Sequence, residues 1–181
     1  MSVAAMEEQQ AFDSARFRDV VGRFPTGVAV VASLVDGLPY GFAVASFMSL
    51  SLDPPLVLFC AGKSSTSWPR IRGAGRFCVS VLSDEQRHMC QVFAQQGDDK
   101  FRDVDWFSSP NGSPVIDGCL AWIECDVAAV YPGGDHDVVV GHVTTLDTST
   151  DGQPLVFFRS GFGSFHNGTT PFGRPSRTAG A

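Results

Sequence analysis

Apolar positions near the start of the chain change their period. Phe17, Val20, Val21 and Phe24 recur at i, i+3, i+4 and i+7, which predicts a helix with one apolar face, capped by Asp13 or Ser14 and ended by Pro25 and Gly27. Residues 28–35 then read as a β-rich strand, Asp36-Gly37 as a hairpin turn and residues 40–46 as the returning strand. Pro54-Pro55 stops one extended run before another begins over 56–60. Residues 64–72 predict a short helix with Pro69 in its first turn, and 76–82 a strand. Ser83, Asp84, Glu85 and Gln86 form a capping box ahead of a helix that carries Met89, Val92 and Phe93 on one face. A polar stretch over 95–105 and a turn-rich one over 108–118 follow, and strands at 119–131, 138–146 and 154–159 complete the pattern. The result is about six or seven strands with about three short helices and no regular crossovers, so the expected fold is a mainly β, antiparallel barrel or sandwich rather than a doubly wound sheet. Residues 1–11 read as a loose lead and 166–181, rich in Gly, Thr, Pro and Arg, as a mobile tail, leaving one domain over 12–165.

Composition narrows the function. At 181 residues, 44% hydrophobic and 18% charged, the chain is a single globular domain with a real core. A net charge of -6 argues against a nucleic-acid partner, which demands a basic face. The 15 phenylalanines indicate a ring-rich interior, and the 19 glycines many turns. The first ten residues carry neither the basic nor the apolar region of a secretory signal, and no apolar run reaches membrane-helix length. Five cysteines form no C-x-x-C pair; Cys119 and Cys125 stand roughly 20 Å apart along a strand, too far to bridge. Apolar flanks make Cys60, Cys78 and Cys125 small core residues, and a reducing cytoplasm is the expected compartment. No metal site is expected: His136 and His142 lie about 20 Å apart on one strand, His88 falls on a helix and His166 in the tail. There is no G-x-S-x-G elbow and no G-x-G-x-x-G after a strand, so serine-nucleophile chemistry and a Rossmann domain are not supported.

Three segments carry chemistry. Residues 41–60 place Ser46, Ser49 and Ser51 in an otherwise small and apolar run; such a surface lets a flat, neutral ring such as a flavin approach the backbone, and an ordinary core hairpin with incidental serines fits it as well. Lys63 followed by Ser64, Ser65, Thr66 and Ser67 at a predicted helix start offers a cation, hydroxyls and free N–H groups to a flavin phosphate, although a plain cap with a solvated lysine is the simpler reading. Gly133-Gly134-Asp135-His136 sits between two strands and presents a histidine at a strand end, either at a pocket mouth or merely in a turn.

Taken together, the blocks 24–28, 41–55, 60–68, 75–82, Lys100-Phe101 and 134–136 resemble the flavin reductase-like family of FMN-binding split β-barrels, in order and spacing, over residues 12–165. Within it the chain looks like the small reductase component of two-component flavin-dependent monooxygenases. The resemblance implies an antiparallel split barrel, a homodimer, and an NAD(P)H:flavin oxidoreductase that passes hydride from NADH, less readily NADPH, to exchangeable FAD or FMN and supplies reduced flavin to a partner monooxygenase. It places the flavin ring on Val44, Ala45, Ser46, Phe47 and Ser49, with Cys60, Ala61, Gly62, Lys63, Thr66 and Ser67 along the ribityl phosphate and Phe93 touching the flavin. It places the nicotinamide beside His136, as the catalytic position, and beside Phe157, Phe158, Arg159 and Ser160. Asp137 departs from the bulky or aliphatic residue of the family, which bears on the choice of pyridine nucleotide. Two other readings remain: a flavin-binding barrel that stores flavin without turnover, and a pyridoxamine-phosphate-oxidase-like enzyme, for which Arg70, Arg72 and Arg76 make no convincing clamp.

Overall fold

The hairpin at the start of the domain seeds a seven-stranded antiparallel sheet. In the computed structural model, which describes residues 12–97 and 99–165, β2 (Ala29–Val35) and β3 (Leu38–Val44) are joined by Asp36 and Gly37, both at positive φ. A two-residue turn of that kind matches the twist of the strands it joins. The expected lead at 1–11 and the tail from 166, His166 included, lie outside the described residues. The sheet runs β3-β2-β6-β9-β10-β5-β4, with β4 at Met48–Leu52, β5 at Pro55–Gly62, β6 at Arg76–Val81, β9 at Ala121–Gly133 and β10 at His136–Thr148. The expectation of an antiparallel barrel is met, with more strands than the sequence pattern indicated. Met48–Leu52 is a strand of its own, turned into β5 through a cis Asp53–Pro54 bond, and hairpins β7 (Trp106–Ser108)–β8 (Pro114–Ile116) and β11 (Leu155–Phe158)–β12 (Gly161–Ser164) add the rest. Of these, only β11 falls in a segment read as a strand, 154–159; β4, β7, β8 and β12 run three to five residues, so their alternation is too brief to read.

The sheet curls until its two ends meet. Phe42 of β3 lies 6.0 Å from Phe59 of β5, ring centre to ring centre, and both pack on the indole of Trp68, the first residue of α2 (Trp68–Ala74). Inward residues Val31, Val57, Phe59, Ala61, Phe77, Val79, Cys125 and Val139 fill the interior. A second core lies outside β2 and β3, where Val28, Val30 and Ala32 meet Phe93, Phe101, Ile116 and Leu155. It is covered by α3 (Arg87–Ala94), whose entry is fixed by the expected capping box on Ser83 and Gln86. The β7–β8 hairpin is fastened to the barrel by buried Glu124, whose carboxylate accepts from Asn111 N–H at 2.6 Å and Thr144 Oγ1–H at 2.9 Å.

Helix α1 (Ser14–Val21) is capped by Asp13, which accepts from Arg16 N–H, as its sequence indicates. Its apolar face behaves differently from expectation. Phe17 is 52% and Phe24 73% exposed, with Val20 and Val21 also open. Strand β1 (Thr26–Gly27), paired with β11, and the bond from Arg159 N–H to Gly22 O tie this end of the chain to the rest.

Candidate flavin and nucleotide cleft

Strand alternation puts Tyr40, Phe42 and Val44 inside the barrel and leaves Gly41 and Ala43 on the outer face of β3, beneath α3. Gly41 is needed for this contact, since a Cβ there would sit 3.0 Å from the Phe93 ring and 3.1 Å from that of Phe101. Lys100 Nζ donates to the carbonyls of Gly41 and Phe93 and fastens the helix to the strand. Beside this seam runs a cleft in two compartments that share Ala43 and Ala94 as walls. One, about 160 Å³, is polar and is bordered by Gly62, Ser64, Ser65, Gln95, Gln96 and Lys100. The other, about 270 Å³, is apolar and is bordered by Val28, Val44, Ala45, Cys90, Phe157 and Phe162. Neither alone reaches the roughly 300 Å³ of ordinary small-molecule sites, but as one cleft they do. The small side chains of Ala43, Val44 and Ala45, an aromatic wall and a polar far end suit a flat ring carrying a phosphorylated chain.

The structure sorts the expected site residues. Val44, Ala45, Gly62, Phe93 and Phe157 border the cleft, although Val44 and Phe93 are themselves nearly buried. Phe47 packs half-buried against the barrel core, and Ser49 lies on β4 opposite Val57, so neither borders either compartment. Ser46 has a different task. Its Oγ accepts from Cys60 N–H at 2.8 Å and donates to Cys60 O at 3.4 Å, bridging the gap between the ends of β3 and β5. Ser46→Ala leaves that N–H without its partner, and we expect a loss of about 1 kcal/mol in urea unfolding.

Several expectations need correction. Ala61 is wholly buried in the barrel. Helix α2 begins at Trp68, not at Ser64, so Lys63 and Thr66 stand in the preceding loop and no helix start is available to them. Ser67 is 1% exposed and donates to Gly41 O at 3.0 Å, which spends its hydroxyl on the fold rather than on a phosphate. Lys63 Nζ donates to Gly134 O at 2.6 Å. Phe158 projects from the face of β11 opposite Phe157 and is 45% exposed, while Arg159 and Ser160, both at positive φ, form the β11–β12 turn. Asp137 points to the other side of β10 from His136, where Trp68 Nε1–H donates to it at 2.9 Å and Arg72 approaches to 3.7 Å. Sequence reasoning assigned no role to Ala43, Ala94, Gln95, Gln96 or Lys100; the signal present was Lys100-Phe101 within the matching blocks.

His136 pairs in register with Gly62, and its Nε2 lies 3.6 Å from where a Gly62 Cβ would stand, next to the polar compartment. Gly134, at φ +75°, takes the first central position of the two-residue turn before it, a place that favours glycine. Asp135 Oδ1 accepts from His136 Nδ1–H at 2.8 Å. The hydrogen bond and the charge of His136 hold the Asp135 carboxyl below its usual range. Burial does the opposite to the thiols: that of Cys125 is pushed up to about 12, and Cys78 higher, so both stay protonated core groups.

Comparison with known proteins bears on this cleft. The flavin reductase like domain matches residues 21–166. A flavin reductase of Pseudomonas putida is 48% identical over 164 residues, 90% of this chain and 96% of its own. The reductase subunit of a flavin-dependent monooxygenase from Rhodococcus jostii is 48% identical over 150 residues, 83% of this chain and 77% of its own. Among solved structures, the NADH:FAD oxidoreductase of Streptomyces globisporus, in complex with NAD and FAD fragments, superposes with a TM-score of 0.82 at 36% identity, covering 87% of this chain and 96% of that one.

Proposed function

Because this chain belongs to the flavin reductase-like family, we propose that it is an NADH-dependent flavin reductase that supplies reduced flavin to a partner monooxygenase. The observation that carries the reading is the two-part cleft on the outer face of β3. Ala43, Val44 and Ala45 bed the flavin ring, with Phe157 across the apolar compartment where the nicotinamide stacks, and Ser64, Ser65 and Lys100 face the phosphate end; the nicotinamide role of His136, over Gly62, rests on the family resemblance. A flavin held there would supply the hydride acceptor for a reduced nicotinamide. The chain need supply no acid or base for that transfer; its residues stack two rings and exclude water, which is catalysis by proximity. Few charges border the cleft, so flavin is held modestly and leaves after reduction as a substrate does. FAD and FMN both carry the phosphate that the polar end receives.

The reading includes a homodimer. On the outer face of the barrel, Met48, Leu58, Val140 and Ala129 align in one row and Cys60, Val138 and Tyr131 in the next, apolar and partly exposed. Such a patch is the kind a second copy covers. It also includes a reducing cytoplasmic location, consistent with five free cysteines.

The test is NADH consumption by the purified protein with FAD or FMN added, repeated with NADPH. Oxidation that saturates with added flavin and runs faster with NADH is expected. No turnover, with flavin retained through gel filtration, would indicate a flavin-storing barrel instead.

A further inference from the structure

Lys63 is exposed just after β5, between Gly62 and Ser64 of the polar compartment's border, and its bonds run into the β9–β10 turn. Its backbone N–H donates to Asp135 O at 3.0 Å and its Nζ to Gly134 O at 2.6 Å. Both residues of the two-residue turn are therefore held by one side of β5. The turn in turn holds the histidine ring, because Asp135 Oδ1 meets His136 Nδ1 at 2.8 Å. An ionised carboxylate only accepts, so Nδ1 carries a proton, and whenever the ring is neutral its lone pair is on Nε2. That nitrogen is the one lying over Gly62, a wall of the polar compartment.

We propose that Lys63 is a positioning residue: it clamps the Gly134–Asp135 turn so that Asp135 fixes His136 in one orientation and one tautomer, with Nε2 toward the cleft. The consequence for turnover rests on the reading above that His136 serves the nicotinamide. A lysine that instead bound the flavin phosphate would act on a different substrate, which makes the two roles separable.

Lys63→Met keeps the aliphatic stem and removes the charge-assisted bond to Gly134. The expected result is a rise of about tenfold in KM for NADH, equal in size whether the flavin is FMN or riboflavin, with the KM for flavin unchanged. Lys63→Arg, which can still donate to the carbonyl, is expected within about twofold of the parent. In ¹⁵N spectra of the histidine side chains, with His136 assigned by comparison with His136→Ala, the parent should show a protonated Nδ1 and a bare Nε2. In Lys63→Met the two signals should move toward a common averaged position. An unchanged KM for NADH with unchanged ¹⁵N shifts overturns the proposal, and so does a loss seen with FMN but not with riboflavin. Failure of the underlying reading looks different: His136→Ala would leave the KM for NADH unaltered while the His136 signals of Lys63→Met still converge.

Discussion

Ala43→Phe is expected to lower flavin-dependent NADH oxidation by at least about a hundredfold in a variant that still unfolds cooperatively. Ala43 is the residue of β3 that both compartments of the cleft share, and its side chain lies on the outer face, half-buried beside Ala94. A phenyl ring there occupies the space between the two compartments without entering the barrel interior. Displacement of reacting rings by about an ångström already costs on the order of a hundredfold in an orientation-driven reaction, and blockage costs more. Steady-state assays across a range of FAD and FMN, with a urea melt of the same preparation, give the answer. Parent-like turnover in a folded variant would mean that the ring binds elsewhere on the protein.

The largest effect on stability is expected at Gly141. This residue lies inside the barrel at the point where the β9–β10 register shifts, and a Cβ there would stand 2.6 Å from Phe77 Cζ and 3.1 Å from Cys125 Cβ. Phe77 has nowhere to retreat, since it is fully buried and its ring meets Phe59 edge-on at 5.2 Å. Gly141→Ala should therefore cost about 1–3 kcal/mol, the usual range for overpacking, or about 2–4 °C in Tm for each kcal/mol in a chain of this size. The double variant with Phe77→Leu should recover part of that loss, because the two sites share one contact. Gly27→Ala, with nothing within 4 Å of the added carbon, is the matched control. Equal melting of Gly141→Ala and the parent would show that the barrel interior yields more readily than its packing indicates.

Much of the barrel could be read in advance because its long strands carry their own punctuation. The hairpin at Asp36-Gly37, the capping box at Ser83, and the long strands around Cys125 and Val139 are local patterns that tertiary contacts reinforce. Ser46 and Ser67 show where such reading stops. Each is a hydroxyl in a run that suits a ligand, yet each is spent on a backbone group far along the chain, Cys60 in one case and Gly41 in the other. Sequence neighbours do not reveal whether a hydroxyl faces a ligand or a carbonyl. Helix α1 is the converse case: its period was correct, but period says that one face is apolar and not that this chain covers it.

The amino-acid sequence by itself determined the family, the antiparallel class and the segments from which the cleft is made, because turn residues, caps and two-residue alternation act over a few neighbours. Only the tertiary structure decided which members of those segments face the cleft. Ala43, Ala94 and Lys100 meet because α3 and the loop after it fold across β3, and Lys63 turns to Gly134 because β5 and β10 pair in one register. Those choices depend on contacts between residues tens of positions apart, where the packing of one element excludes or admits the side chains of another.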